Sequence, residues 1–187
     1  MLHCKNRART FDYDITRMVD WDGIVSRDGP AVWRTLYRLL GNAADVDDCF
    51  QETFLAALKV WRREAVVHPQ ALLHRLATAR ALDRLRKRYR RNRREGGTVE
   101  WEAIRAGGAL PIQVAQAAEL SDRLRQALTA LPAKQAQAFC LFYLEGWDYQ
   151  QIAPQIGASV NAVGVLLHRA RRRLRELLGD LVNETGR

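Results

Sequence analysis

Four carboxylates crowd one short stretch of the chain: Asp45, Asp47, Asp48 and Glu52, with Gln51 beside them. Carboxylate pairs can do acid–base work, but only in a pocket that tunes them apart. No His and no phosphate-binding loop accompanies this cluster, and acids at a helix start favour the helix dipole in any case. A protein-contact surface is the better functional reading, with plain capping the bland one for Asp45 and Asp48. The cysteines, Cys4, Cys49 and Cys140, are far apart, as are His3, His68, His74 and His168. No CxxC or Cys/His cluster exists, so neither a disulfide framework nor a metal site is expected. The sequence predicts a protein that is not an enzyme and needs no cofactor.

The basic residues are more telling. Between Arg75 and Arg94 stand ten Arg or Lys residues against one acid, Asp83, with Tyr89 interleaved. Such a lopsided run fits phosphate binding with an occasional stacking side chain better than a solvated face, which mixes signs. A second run, Arg169, Arg171, Arg172, Arg173 and Arg175, follows the segment DYQQIAPQIGASVNAVGVLL. There Asp148 and Gln151 form a capping box, Gly157 ends a short helix, and Ser159 caps another with Val163, Leu166, Leu167 and Ala170 inward. Two short helices around a Gly-containing turn are the helix-turn-helix arrangement, whose second helix enters a major groove. The formal net charge of +9 and pI near 10.1 agree with a polyanionic partner. Two basic stretches, one in each half, suggest two separate contacts on one nucleic acid.

The elements that must position these residues read as all-α: two small helical domains joined by a flexible linker. Residues 20–91 and 119–181 carry helical periodicity, whereas 92–118 hold four of the twelve glycines and a proline with no sustained period. Residues 1–19 and 182–187 are an N-terminal extension and a C-terminal tail. Pro30 is the expected start of the first helix and Gly41 its end. Asp45, with Asp48 reaching back, is the expected start of the second, whose stripe is Val46, Phe50, Phe54, Leu58 and Trp61. After Pro69, Leu72, Leu73 and Leu76 do not share a face with Leu82, Leu85 and Tyr89. Ser121 is the expected cap of a helix with Leu124, Leu128 and Leu131 inward, and Pro132 opens the next. Pro154 falls inside the first helix of the pair, where an interior proline costs roughly 3 kcal/mol. The N-terminus lacks a signal-peptide core and no run is long enough to span a bilayer. A reduced, cytoplasmic protein with no membrane insertion follows as the expectation.

At this level the sequence resembles the sigma-70 superfamily, specifically its small two-domain extracytoplasmic-function group. LLGNAADVDDCFQETFLAAL (39–58) is similar to the region 2 helix that docks on the polymerase clamp, and RLATARALDRLRKR (75–88) to the helix that melts and reads the −10 element. Residues 127–177 resemble region 4, including its LP, YLEG and RAR. The resemblance implies a polymerase-binding face of Asp48, Gln51, Glu52 and Phe54, the last partly core. It implies −10 contacts from the loop 62–69, with Arg63 and His68, and from Arg75, Arg80, Arg84 and Lys87. It implies −35 contacts from Ser159, Val160, Asn161, Ala162, Gly164, Val165, His168, Arg169 and Arg172. Core RNA polymerase, promoter DNA and an inhibitory anti-sigma factor are the implied partners of a chain that is monomeric when free.

Departures from the family pattern bear on specificity. Leu72 and Leu73 stand where a Trp-Leu pair is common, and Ala79 where Asn is usual. Gly164, Val165 and Leu166 replace a basic residue, Ser and Arg, which weakens direct guanine reading by arginine. The competing reading is a helix-turn-helix regulator that is not a polymerase subunit. Against it stands the QETF block beside a separate basic helix, which such a regulator does not need. The 27 residues of 92–118 reach roughly 90 Å at about 3.3 Å each, ample to separate two promoter elements.

Overall fold

The computed structural model describes residues 19–94 and 112–184, so the N-terminal extension, most of the stretch 92–118 and the last residues of the tail lie outside the described residues. Seven helices account for the described fold: α1 (Trp21–Leu40), α2 (Ala43–Trp61), α3 (Pro69–Arg94), α4 (Ile112–Thr129), α5 (Ala133–Tyr143), α6 (Tyr149–Gln155) and α7 (Val160–Glu184). No strand occurs among the described residues.

Three helix starts differ from the sequence expectation. First, α1 begins at Trp21 and carries Pro30 in its interior. Asp20 caps it, its Oδ1 accepting the Gly23 N–H at 2.8 Å, and Trp21 anchors it edge-on against Trp61 with centroids 4.9 Å apart. Pro30 and Ser26 are both exposed, so the Ser26 carbonyl that loses its intrahelical donor can turn to water. Second, α2 is capped by Asn42, whose Oδ1 accepts the Asp45 N–H at 2.8 Å while its Nδ2 donates to Asp45 Oδ2 at 2.9 Å. Asp48 is thereby left out of the cap. Third, Ser121 lies inside α4, where its hydroxyl donates to the Ala117 carbonyl at 2.8 Å. That back-bond satisfies the serine mid-helix, so the helix does not need it as a start.

The first helix ends at a glycine. Gly41 takes φ +76° after α1 and donates its N–H to the Tyr37 carbonyl at 2.9 Å. A Cβ there would also sit 2.8 Å from the Arg125 guanidinium, a flexible side-chain end, so the positive φ is what makes the site favour glycine.

Helix α3 is the organising element, packing against α1 and α2 on one side and against α4, α5 and α6 on another. Its split apolar pattern thus has a cause: Leu72, Leu73, Ala77, Ala81, Leu82, Leu85 and Tyr89 are all buried, but in contact with different neighbours. On α2 the most buried line is Val46, Cys49, Thr53, Ala57 and Trp61; Phe50 and Phe54 pack half-buried beside it. One core joins these residues to Leu128, Leu131, Ala136, Cys140, Ala170 and Leu174 from the C-terminal helices. The helix pair α6–α7 has a smaller core of its own, built on Ala138, Leu141, Ile152, Ile156, Val163 and Leu167.

Candidate nucleic-acid and polymerase interface

The helix-turn-helix is assembled by local bonds that its sequence dictates. Asp148 accepts the Gln151 N–H at 2.8 Å, and the Gln151 side chain accepts the Asp148 N–H at 3.0 Å. Gly157, at φ +58°, turns the chain, and Ser159 Oγ accepts the Ala162 N–H at 3.2 Å to start α7. Pro154 lies on the exposed side of the last turn of α6. A proline there forfeits a bond near a helix end, so the full interior penalty does not apply.

The face that α7 turns outward is continuous. Asn161, Val165, His168, Arg169 and Arg172 are exposed along one side, with Ser159 and Val160 at its leading edge. Ala162 and Gly164 are only partly exposed. A Cβ on Gly164 would meet the Tyr149 ring at 3.5 Å, so this position looks toward α6 more than into open space. Val165 is 48 % exposed, too much for a core residue of its size. Further along, Arg172 and Arg173 share Glu176, at 3.8 and 2.9 Å.

At the other end, the α2 acids and the α3 arginines share one groove, lined by Asp45, Glu52, Arg80, Asp83, Arg84, Lys87, Arg88 and Arg91. Arg84 is its hub, with Nη1 3.3 Å from both Asp45 Oδ1 and Asp48 Oδ2 and Nη2 3.5 Å from Glu52 Oε1. Arg80 reaches Glu52 at 3.2 Å, and Arg88 donates to the Leu40 carbonyl at 3.2 Å. The acidic cluster is therefore not unpaired, as its isolation in the sequence suggests. These bridges are long and partly solvated, and such pairs are worth about 0–1 kcal/mol each. Asp48 keeps 65 % of its side chain exposed, and Gln51 and Glu52 are exposed as well, so the face stays open to a partner. Phe54 is half-buried against the core. Arg63, His68 and Lys87 are exposed, and Arg75 partly so.

Sequence reasoning missed a different group altogether. His74, Thr35 and Glu145 meet in a buried network where α1, α3 and the loop after α5 converge. His74 Nδ1 lies 2.8 Å from Glu145 Oε2, with side chains 6 % and 8 % exposed. The Thr35 hydroxyl donates to Glu145 Oε1 at 2.9 Å, and Trp147 packs edge-on against the His74 ring at 6.0 Å. Burial pushes the Glu145 carboxyl up, but the hydrogen bonds and charge of His74, the Thr35 hydrogen bond and the Arg38 charge outweigh it and hold the group below its ordinary range. Burial pushes the nearby Cys140 thiol up to about 12, so it is an inert core thiol. Tyr89, expected as a stacking side chain, is buried; its hydroxyl donates to Asp122 Oδ1 at 2.8 Å, and burial followed by that bond raises its pKa to about 12. No cluster that could hold a metal occurs among the described residues.

Comparison with known proteins agrees with this architecture. The family described as Sigma-70 region 2 matches residues 24–91, and that described as Sigma-70, region 4 matches residues 121–174. The chain is 33% identical over 175 residues to the ECF RNA polymerase sigma factor SigE of Mycolicibacterium smegmatis, covering 92% of this chain and 66% of the relative. It is 32% identical to the ECF RNA polymerase sigma factor SigL of Mycobacterium tuberculosis, over 80% of this chain and 84% of the relative. Among solved structures it is similar to the sigma factor RpoE of Bartonella quintana in complex with the anti-sigma factor NepR, with TM-score 0.53 and 26% identity, covering 86% of this chain and 97% of that one. The chain belongs to the sigma-70 family, in its extracytoplasmic-function group of RNA polymerase sigma factors, whose members direct transcription initiation.

Proposed function

We propose that this chain divides the initiation task between residues 20–91 and residues 119–181, joined through 92–118. The first body binds core polymerase through the exposed Asp48, Gln51 and Glu52, with Phe54 bracing their helix from beneath. Its loop 62–69, including Arg63 and His68, and Arg75, Arg80, Arg84 and Lys87 then hold the −10 strand. The second body lays α7 in the −35 major groove. Asn161 and Val165 face base edges, His168 and Arg169 follow, and Arg172 holds phosphate. The single observation that carries this reading is the unbroken exposed face of α7, capped at Ser159 and leading straight into arginines.

An anti-sigma factor is the inhibitory partner, in keeping with the complex recorded for the Bartonella relative. The free chain is a monomer. Among the described residues no helix is long and apolar enough to cross a membrane, and the work is done in the cytoplasm, where polymerase and promoters are. The test is a native-gel titration of the chain with core polymerase, followed by a promoter duplex. A stable chain–core complex that then retains the duplex supports the reading. A chain that shifts the duplex alone but never joins core is a stand-alone regulator.

A further inference from the structure

The first turns of α7 carry no charge. From Val160 to Leu167 the only polar side chain is that of Asn161, and the arginines begin at Arg169. Two valines in this stretch are turned outward, Val160 at 43 % exposure and Val165 at 48 %. Gly164 stands one helical turn after Val160 and beside Val165. Apart from its chain neighbours, a Cβ on Gly164 would meet only the Tyr149 ring among the described residues, at 3.5 Å. The outer surface of α7 is therefore notched there, with the Gly164 backbone as floor, the two valines at the sides and Tyr149 as wall. That wall is held in place from two directions. The Asp148–Gln151 capping box sets the first turn of α6, and Phe142 packs on the Tyr149 ring with centroids 5.6 Å apart.

An apolar notch on this face needs an apolar partner group in an otherwise polar, anionic partner. Asn161 lies on the same face, and the exposed Arg169 and Arg172 follow along it. The major groove of DNA supplies that combination at one base: thymine projects its 5-methyl group there, whereas guanine offers two acceptors and cytosine an amino donor. A guanine or cytosine edge pressed against the valines would shed water from its polar atoms and gain no hydrogen bond in return. The methyl group has no such cost.

We propose that the notch at Gly164 reads a thymine through its 5-methyl group, with Val160 and Val165 closing on the methyl and Tyr149 backing it. Asn161, one turn before Val165, is the polar half of the same readout and takes an adenine. The first two turns of α7 thus select A·T pairs by one amide and one apolar contact, and the step at the notch carries no guanine. This inference rests on the assignment of α7 to the −35 groove.

The experiment uses the full chain bound to core polymerase and a pool of duplexes randomised across the −35 element. Each thymine of the enriched duplex is then replaced in turn by deoxyuridine, which removes the methyl group alone. One replacement should weaken binding about three- to five-fold, the worth of one buried methyl. Val165→Ala should bind the thymine duplex more weakly by a similar factor and be insensitive to that replacement. Cytosine at the same step should bind poorly, and 5-methylcytosine should recover part of the loss because it offers the same methyl. Gly164→Lys fills the notch and should abolish the thymine preference, with helicity by circular dichroism unchanged. An enriched duplex without thymine, or no loss from deoxyuridine at any thymine, overturns the inference. If deoxyuridine weakens Val160→Ala and Val165→Ala as much as the wild type, the methyl acts through duplex shape and the notch is not its site. A pool from which no sequence is enriched takes α7 out of the groove, so that the underlying assignment fails first.

Discussion

Arg84 reaches from α3 to Asp48 on α2, Nη1 to Oδ2 3.3 Å, and so ties a residue assigned to promoter DNA to one assigned to polymerase. The pair is loose and half in water. Its value to stability is small, so either side chain can exchange its partner at little cost.

Asp48→Arg combined with Gln51→Ala should abolish binding to core polymerase while leaving helicity native. The stability change should stay near 1 kcal/mol or less, since both side chains are exposed. Urea denaturation paired with a core-binding titration checks this. Native-like folding with unchanged affinity for core would remove this face from the interface.

Asn161→Ala should relax specificity at one −35 position, at roughly 1–3 kcal/mol against the matched duplex. Arg172→Ala should instead weaken all duplexes alike and lower the salt slope by about one. A salt series on matched and scrambled −35 duplexes separates the two. Equal loss for Asn161→Ala on both duplexes would move base reading to His168 and Arg169.

The buried pair carries a pH signature. Glu145 has its carboxyl pKa held below the ordinary 4.5. A depressed acid contributes stability above its unfolded pKa and loses it as pH falls through the folded value. The wild type should therefore lose stability on acidification below about pH 4.5 by an amount that Glu145→Gln does not show. At pH 7 the same variant should cost a few kcal/mol, about 3–5 at most, because it leaves buried donors without their charged acceptor. Urea midpoints at pH 7 and pH 4 for both proteins give the comparison. Parallel pH profiles would show that Glu145 gains nothing from its surroundings.

Pro154→Ala should change stability by about 1 kcal/mol or less, far from the ~3 kcal/mol of an interior site. The proline lies exposed in the last turn of α6. Thermal unfolding of the two proteins decides it, and a gain near 3 kcal/mol would mean the proline strains the turn.

What the sequence disclosed was whatever is local. The Asp148–Gln151 box, the Ser159 cap, Gly41 and Gly157 are each read within four residues, and each stands as expected in the structure. Two helix starts failed because another residue caps the helix, Asn42 in place of Asp45 and Asp20 well before Pro30, and a third because Ser121 is bonded inside α4. Tyr89 looked like a stacking residue among arginines, yet its ring is buried against α4 because α3 is covered on two sides. His74 gave no signal, and Glu145 was read only as part of the YLEG stretch. Only the folded chain shows that they lie 2.8 Å apart and that both meet the Thr35 hydroxyl. The acidic cluster read as unpaired for the same reason, since its partners lie on another helix.

Run-off transcription with purified core polymerase on a genomic promoter library, with and without the chain, tests the central claim most directly. The account predicts discrete transcripts that appear only with the chain present and disappear with the Asp48→Arg, Gln51→Ala double variant. Transcript patterns unchanged by the chain, from core polymerase shown to be competent with another sigma factor, would contradict it.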